Sequence, residues 1–317
     1  MLRNQALDDR SLCGRDSRWR ESTRPLLGTF VTIAVGGVGT AVAEAAIERG
    51  FAAIERVHLL MSFHAGASDL GRLNAAAPGT RLEIDSATYA VLELAERISS
   101  VSDGIFDITI APQLVAAGRL PRPESAGSAD GCTADVASAR WTDLVLDPPR
   151  TVIPRRRLWA DLGGIAKGYA VDAAAAALQL PPAASFRINA GGDLRVGGPE
   201  PAAVALDVPI SLAAQNGVNA ASSVRVQRPL IELQEGSLAS SSADAGPVAH
   251  YDGRQRSALT TGRFVSVVAE RCAAADALTK VVLVLGAESA KILAAFGATA
   301  YVYAPEEGWQ RIGGAGT

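Results

Sequence analysis

Glycine and lysine residues at positions 161–172 form the part of this sequence that is best suited to binding a phosphate. The stretch reads Asp-Leu-Gly-Gly-Ile-Ala-Lys-Gly-Tyr-Ala-Val-Asp, after an extended-looking run at 151–160 and before an alanine-rich run at 173–180 that favours helix. A strand, a glycine turn and a helix would aim backbone N–H groups and the positive end of a helix dipole at an anion. Lys167 adds a positive charge. The same pattern also fits a plain strand-to-helix connection with a solvated lysine.

The glycine spacing differs from that of two common phosphate-binding motifs. Gly163 and Gly168 have the Walker A spacing, but Lys167 precedes the second glycine and Tyr169 follows it, where that motif requires lysine and then serine or threonine. The stretch does not match Gly-x-Gly-x-x-Gly either. A phosphate bound here would therefore be held by another geometry.

The composition is that of an ordinary globular enzyme and excludes some classes of function. The 317 residues are 48% hydrophobic and 20% charged, and a chain of this length can bury a large core. A net charge of −3 and an aromatic content of 5% disfavour nucleic-acid binding, either through a positive surface or by base stacking. Cys13, Cys132 and Cys272 are far apart, which disfavours a zinc site or a disulfide framework.

The N-terminal residues are polar and carry charges of both signs. We therefore predict a disordered leader at 1–24 and a single domain at 25–317. The leader has no apolar segment typical of a signal peptide, and Cys13 lacks the apolar run that precedes a lipoprotein cysteine. No apolar run reaches the length of a membrane span. These features predict a cytoplasmic protein, or an extracytoplasmic one if the start codon is misassigned.

Hydrophobic periodicity predicts an α+β fold with interspersed strands and helices. The expected elements are strands at 26–35, 264–268 and 299–304, helices at 40–60 and 83–101, and a β-hairpin at 141–152. Ser68 and Asp69 are placed to cap a short helix. Residues 101–112 are predicted to form a turn and then a strand, on which Asp107 and Thr109 share one face that either lines a cleft or meets solvent.

Several residues far from the 161–172 stretch could add to a site. The turn Asn189-Ala-Gly-Gly-Asp193 either lets the backbone pass close to a ligand or is an ordinary tight turn. Asp276 lies among alanines at the start of a predicted helix, where it is either a partner of the helix dipole or a metal ligand. Phe63 either stacks on a ligand or belongs to the core, and His250 lies in a polar segment.

The order of these motifs resembles that of the ApbE family, the magnesium-dependent FAD:protein FMN transferases, from about Leu27 to the C-terminus. Residues 161–172 carry nearly the full family signature. The other matching motifs are Leu27-Gly-Thr29, Met61-Ser62 with Leu73-Asn74, Ser102-Asp-Gly-Ile-Phe-Asp-Ile-Thr109, Asn189-Ala-Gly-Gly-Asp193 and Ala275-Asp-Ala-Leu-Thr279. The resemblance implies the family's T-fold-like α+β architecture, with mixed or antiparallel sheets flanked by helices.

The resemblance also implies a reaction and a set of residues for it. In this family FMN moves from FAD to a threonine or serine hydroxyl of a target flavoprotein and AMP leaves, which requires charge neutralisation on the pyrophosphate and a positioned nucleophile. It implies catalytic roles for His250, Asp276 and Lys167, and Mg²⁺ ligation by Asp276, the Ala166 carbonyl and Thr279. The implied FAD contacts are Met61, Phe63, Asp107, Thr109, Gly163, Gly164, Lys167, Asn189, Gly191, Gly192, Asp193 and Arg254.

Three departures from the family pattern leave other functions open. The segment His250-Tyr-Asp-Gly-Arg-Gln-Arg256 keeps the histidine and a cation but lacks the family's proline and Thr-Gly. The family commonly has a threonine four residues after the aspartate, where this chain has Lys280, and Thr279 comes one residue early. The lipoprotein signal of many members is not visible. The alternatives are a FAD pyrophosphatase that yields FMN and AMP, and a FAD-binding protein without catalysis.

Overall fold

The computed structural model describes residues 19–123, 135–209, 212, 228–243 and 250–314. The strands in this part of the chain are β1 (Trp19–Leu26), β2 (Thr29–Gly36), β3 (Leu82–Glu83), β4 (Leu144–Asp147), β5 (Thr151–Pro154), β6 (Ser185–Ala190), β7 (Asp193–Gly197), β8 (Ala202–Ala205), β9 (Leu230–Leu233), β10 (Gly236–Ala243), β11 (Tyr251–Asp252), β12 (Ser257–Ala258), β13 (Arg263–Ala269), β14 (Thr299–Ala304) and β15 (Gly308–Gly313). A sheet of eight strands in the order β1-β2-β6-β7-β10-β13-β14-β15 forms the centre. Every neighbouring pair in it is antiparallel.

Helices cover one face of this sheet, and further helices pack beside them. They are α1 (Thr40–Met61), α2 (Asp69–Ala75), α3 (Ser86–Val101), α4 (Ala111–Ala116), α5 (Ala166–Ala177), α6 (Cys272–Leu285) and α7 (Ala290–Ala295). Helix α5 packs against α1, α6, β6 and β7, and α6 packs against β10 and β13. The hairpin of β8 and β9 packs on the other face, against Leu194 and Leu238. In the described residues no helix has the length and apolar character to cross a membrane.

Local sequence patterns correctly predict several elements. The helices expected at 40–60 and 83–101 form as α1 and α3, and the predicted hairpin forms from β4 and β5. The Ser68 side chain accepts a hydrogen bond from Gly71 N–H at 2.9 Å, so it caps α2 as predicted. The expected α+β class with antiparallel sheets flanked by helices is confirmed.

Strand β1 begins inside the segment predicted to be a leader. Leu27 and Gly28, with φ of +54° and +72°, form a two-residue turn that pairs β1 with β2 along its whole length. β1 is an edge strand with several exposed polar residues, so its composition lacks the alternation typical of a half-buried strand. The leader prediction is therefore wrong for residues 19–24. Residues 1–18 lie outside the described part of the chain.

The strand predicted at 101–112 is also wrong. A short 3₁₀ helix, Ile108–Ile110, follows α3 instead. One oxygen of the Asp107 carboxylate accepts hydrogen bonds from the N–H and the hydroxyl of Thr109, both at 2.8 Å, and this local bonding bends the chain away from a strand. Conversely, β10 lies inside the large sheet although its serines and alanines show no pattern that predicts a strand.

Candidate active site

The first turn of α5 touches the first turn of α6 with almost no space between them. A Cβ built on Gly168 would lie 2.7 Å from the carbonyl carbon of Cys272 and 2.9 Å from Cα of Ala273. The N–H of Gly168 donates to Oδ2 of Asp276 at 3.2 Å, and Asp276 is buried. Gly168 is thus required for the contact between the helices, and that contact brings the 161–172 stretch beside Asp276.

Asp172 holds the beginning of α6 in place. Its carboxylate accepts hydrogen bonds from the N–H groups of Cys272 at 2.9 Å and Ala273 at 3.0 Å, and it pairs with Arg195 of β7. N–H groups in the first turn of a helix have no partner within that helix, so Asp172 caps α6 from a neighbouring element. No local sequence pattern shows the capping role of Asp172, because the N–H groups that it caps lie about 100 residues later.

Four charged side chains, Lys167, Asp193, Asp276 and Lys280, form what we call the lysine–aspartate cluster. Lys167 pairs with Oδ2 of Asp193 at the start of β7. Lys280 pairs with Oδ1 of Asp276, one turn earlier in α6, and its Nζ lies 2.9 Å from the Asp276 carbonyl oxygen. Because both carboxylates are buried, these pairs form where water competes little for the charges.

The close charges shift the pKa of three members of the cluster. Burial alone would lower the pKa of Lys167, but Asp276 and Asp193 outweigh burial and raise it, so Lys167 stays cationic. Burial alone would raise the pKa of Asp276, but Lys280 and Lys167 lower it. Burial and the Asp276 charge raise the pKa of Asp193 to about 7. Oδ1 of Asp193 is buried and has no hydrogen-bond partner in the described part of the chain, so it can accept a bond from a ligand.

The segment that enters the glycine turn is held by side chains and backbone from earlier in the chain. The Asn74 side chain bonds the N–H of Ala160 at 2.7 Å and the carbonyl of Ala160 at 3.0 Å. Asp161 N–H then donates to the Ile108 carbonyl at 2.7 Å. Loss of hydration raises the pKa of the Asp161 carboxyl to about 6, although the Gly163 N–H opposes the shift. Asn74 and Asp161 thus fix where the turn begins.

Gly163 and Gly164 lie together beside the lysine–aspartate cluster. Gly163 N–H donates to Oδ2 of Asp161 at 3.1 Å, and a Cβ on Gly164 would lie 3.5 Å from Cε of Lys280. The turn leads directly into α5, whose first residue is Ala166. The glycine turn and the helix form as expected, but the extended run predicted at 151–160 is a strand only as far as Pro154, and residues 155–162 are irregular. Lys280 is a second cation next to the turn.

The second glycine turn joins β6 to β7 and ends at the cluster. Gly191 and Gly192 have φ of +62° and +103°, and a Cβ on Gly191 would lie 2.6 Å from Oγ1 of Thr29. Asn189 Oδ1 accepts a hydrogen bond from Gly192 N–H at 3.0 Å. Asp193 follows at once and pairs with Lys167. The structure thus brings two of the motifs, 161–172 and 189–193, to one place.

Asp107 and Thr109 lie in a buried network with Arg256. Arg256 donates to Oδ2 of Asp107 at 3.1 Å, to the Thr109 hydroxyl at 2.8 Å and to the Thr109 carbonyl at 2.7 Å. Burial raises the pKa of Asp107, while Arg256 opposes that shift. The two residues do not form a strand face, and their side chains serve this network. Sequence reasoning misses Arg256, whose partners precede it by almost 150 positions.

The network fastens the segment that carries His250 and Arg254. Gly253 N–H donates to the Ile105 carbonyl at 3.0 Å, and β11 contacts α6. Arg254 pairs with the buried Asp252 at 3.3 Å. His250 is partly exposed, and its carbonyl accepts a bond from Leu259 N–H at 2.9 Å. The structure therefore places this segment between residues 105–109 and the helix that bears Asp276.

Met61 and Phe63 lie at the end of α1 and in the loop that follows. Both belong to the main hydrophobic core, with 5% and 9% of their surface exposed. The Phe63 ring meets the His64 ring edge to face, with centroids 6.3 Å apart. Of the two alternatives for Phe63, the structure places the side chain in the core.

Two of the three residues implied as magnesium ligands, Asp276 and Thr279, already have other partners. Asp276 binds Lys280 through one carboxylate oxygen and Gly168 N–H through the other. The Thr279 hydroxyl lies 2.6 Å from the Asp276 carbonyl and 2.8 Å from the Ser241 hydroxyl. The described residues contain no group of three or more His, Cys, Asp or Glu side chains suited to a metal. Mg²⁺ is normally held by carboxylate oxygens, and here the carboxylate at the centre of the set already carries the Lys280 ammonium, so this donor set does not fit Mg²⁺.

The chain is similar to proteins named FAD:protein FMN transferase. One from Vibrio cholerae is 26% identical over 247 residues, which cover 74% of this chain and 72% of that protein. One from Haemophilus influenzae is 29% identical over 168 residues, covering 50% of this chain and 48% of that protein.

Solved structures share the fold. The apo flavinyl transferase ApbE of Pseudomonas stutzeri superposes with a TM-score of 0.74 at 22% identity, covering 93% of this chain and 94% of that one. The ApbE protein of Thermotoga maritima gives 0.72 at 24% identity, covering 93% and 97%. The ApbE family profile matches residues 27–302. The resemblance seen in the sequence is confirmed: this chain belongs to the ApbE family.

Proposed function

We propose that this protein transfers FMN from FAD to a threonine or serine hydroxyl of a target protein and releases AMP. The observation that carries the proposal is the meeting of two glycine turns, a helix N-terminus and two lysines in one place. Such a site is suited to a pyrophosphate, because backbone N–H groups and fixed cations stabilise its charge. Family membership, and relatives named FAD:protein FMN transferase, support FAD as the donor.

We assign each binding role from the family resemblance and from the position of the residue in the fold. Gly163, Gly164 and Lys167 would hold the pyrophosphate at the start of α5. Asn189, Gly191, Gly192 and Asp193 would form the opposite wall. Oδ1 of Asp193, which has no hydrogen-bond partner among the described residues, would accept a hydrogen bond from a hydroxyl or amide group of FAD. Met61 and Phe63 would pack against the flavin. Arg254 would contact FAD from the segment that Asp107 and Thr109 support through Arg256.

The transfer step moves one phosphoryl group between two oxygens. The acceptor hydroxyl oxygen attacks the phosphorus on the FMN side, and a phosphoester bond forms as the bond from that phosphorus to the bridging oxygen breaks. The bridging oxygen leaves with AMP and takes the bonding electron pair, while the hydroxyl proton passes to a base. We propose His250 as that base, because it lies on the partly exposed segment beside α6.

The test uses the purified full-length protein, FAD and a flavin-free acceptor on which the V. cholerae relative acts. We expect AMP release together with flavin fluorescence that stays on the acceptor in a denaturing gel. AMP and free FMN without attachment would instead indicate a FAD pyrophosphatase. FAD binding without any release of AMP would contradict the proposal and favour a flavin-binding protein without catalysis.

A control separates loss of chemistry from loss of folding. Asp276→Ala should abolish the transfer, and urea unfolding of the variant reports whether the fold remains. His250→Ala should slow the transfer and leave FAD affinity unchanged if His250 acts only as the base. Unchanged turnover in His250→Ala would exclude His250 from that role.

A further inference from the structure

Lys280 lies where a positive charge is needed, between the glycine turn and Asp276. Its Nζ binds Oδ1 of Asp276 and is 2.9 Å from the Asp276 carbonyl oxygen, while its Cε is 3.5 Å from the place of a Cβ on Gly164. The side chain is 14% exposed. An ammonium group held this firmly beside an anion-binding turn acts as a fixed cation, as a metal ion does elsewhere.

A divalent cation at Asp276 would compete with Lys280 for the carboxylate. Lys280 pairs with Oδ1, and Oδ2 accepts a hydrogen bond from Gly168 N–H, so a metal ion bound to this carboxylate would either displace the ammonium or lie against it. The displaced ammonium would remain close to Lys167 and to the metal ion, which adds repulsion between three positive groups at short range. In the cluster as it stands each aspartate already has a lysine as its partner without a metal.

Lysine is a rare residue in this chain, and it is concentrated at the candidate site. Lysine occurs only at positions 167, 280 and 291 of the chain, and the other residues counted with it as basic are arginines. Two of the three lysines therefore belong to the lysine–aspartate cluster. A lysine ammonium is a compact point charge, whereas a guanidinium is a wide planar fork, so lysine is the residue that can take the place of a small ion.

We propose that Lys280 takes the place of the family's divalent cation, so that cleavage of FAD by this chain needs no Mg²⁺. The inference rests on the proposed function. With FAD bound, the ammonium of Lys280 would contact the pyrophosphate and neutralise charge on the leaving bridging oxygen, while Lys167 contacts the other phosphate. Lys280 stays protonated throughout, and the bonds broken and formed are those of the transfer described above.

The first experiment measures metal dependence of the wild-type protein. AMP release and covalent flavin on the acceptor are followed with FAD in millimolar EDTA and, separately, with MgCl₂. We expect equal rates in both. A rate that is lost in EDTA and restored by MgCl₂ would overturn the proposal.

The second experiment does not depend on catalysis. Binding of Mn²⁺, as a probe for Mg²⁺, is measured without FAD by electron paramagnetic resonance on wild type and Lys280→Thr, with Lys291→Thr as the matched control at an exposed lysine. We expect no bound Mn²⁺ in wild type or the control, and binding in Lys280→Thr once Asp276 is released. Mn²⁺ bound to wild type would refute the inference even if no FAD cleavage is found, so its failure is distinct from that of the proposed function.

The third experiment tests whether Lys280 acts on the reaction. Lys280→Thr should lower the rate without metal about 100-fold, in the range seen when a group that stabilises transition-state charge is removed. Lys291→Thr should keep the wild-type rate. A wild-type rate for Lys280→Thr in EDTA would exclude the role, and Lys280→Gln replaces it in the comparison if the threonine variant unfolds.

Discussion

Gly168→Ala is the substitution whose effect the geometry defines most closely. The added Cβ would meet backbone atoms of α6 at 2.7 Å and 2.9 Å, and backbone cannot rotate away as a side chain can. Overpacking of a filled core costs about 1–3 kcal/mol, and a backbone obstacle favours the upper end of that range. Replacing glycine by alanine within a helix also stabilises the helix by about 1 kcal/mol, which offsets part of this cost. The net expectation is a loss of about 2 kcal/mol from the free energy of unfolding.

The assay is urea unfolding followed by far-UV circular dichroism, with Gly66→Ala as control. A Cβ on Gly66 would have nothing within 4 Å, so that variant should stay within about 0.5 kcal/mol of wild type. FAD binding provides a second measurement, because movement of α6 carries Asp276 and Lys280 away from the glycine turn. A Gly168→Ala protein with wild-type stability and wild-type FAD affinity would refute the helix-contact reasoning.

Three further predictions use the same unfolding assay. Asp172→Ala leaves two N–H groups of α6 and the Arg195 side chain without their carboxylate, so we expect the free energy of unfolding to fall by about 2–4 kcal/mol. A fall of less than about 0.5 kcal/mol, the size of an ordinary surface change, would contradict the capping role. Arg256→Met leaves Asp107 buried and unpaired and should cost about 3–5 kcal/mol, whereas Arg254→Met, at a more exposed pair, should cost about 1 kcal/mol or less. The Asp161 pKa is raised to about 6, so its contribution to stability is present at low pH and is lost as the pH rises from about 4 through 6. Asp161→Asn should remove that loss, and a stability difference between variant and wild type that stays constant across this range would show the interpretation to be wrong.

Local patterns in the sequence predict the parts of this fold that depend on neighbouring residues. The apolar spacing of α1 and the hydroxyl of Ser68 act within one or two helical turns, and both predictions are confirmed. Strand β10 is not predictable in this way, because Ser240 and Ser266 bond each other at 2.8 Å inside the sheet in place of an apolar pattern. The 3₁₀ turn after α3 is missed for a related reason: Asp107 bonds Thr109 locally, and the alternation of side chains there resembles a strand.

The candidate site is likewise predictable from local sequence only in part. The glycine turns and Asp276 are found from sequence because each motif is short and ordered along the chain. The roles of Asp172 and Arg256 depend on partners about 100 and 150 residues distant, which no local pattern shows. In the sequence Lys280 is visible only as a departure from the family pattern. That its side chain pairs with Asp276 is seen only in the folded helix.

The joining of the 161–172 stretch to α6 has a consequence for how the protein is made. Lys167 is synthesised long before Lys280, and the helix that carries Lys280 packs against α5, β10 and β13. Contacts between such distant segments form late in folding, since the loop between them must first be closed. A nascent chain therefore acquires both lysines of the site only near the end of its synthesis. Under the proposed function, FAD binding would then require a nearly complete polypeptide, and products truncated before α6 would not bind FAD.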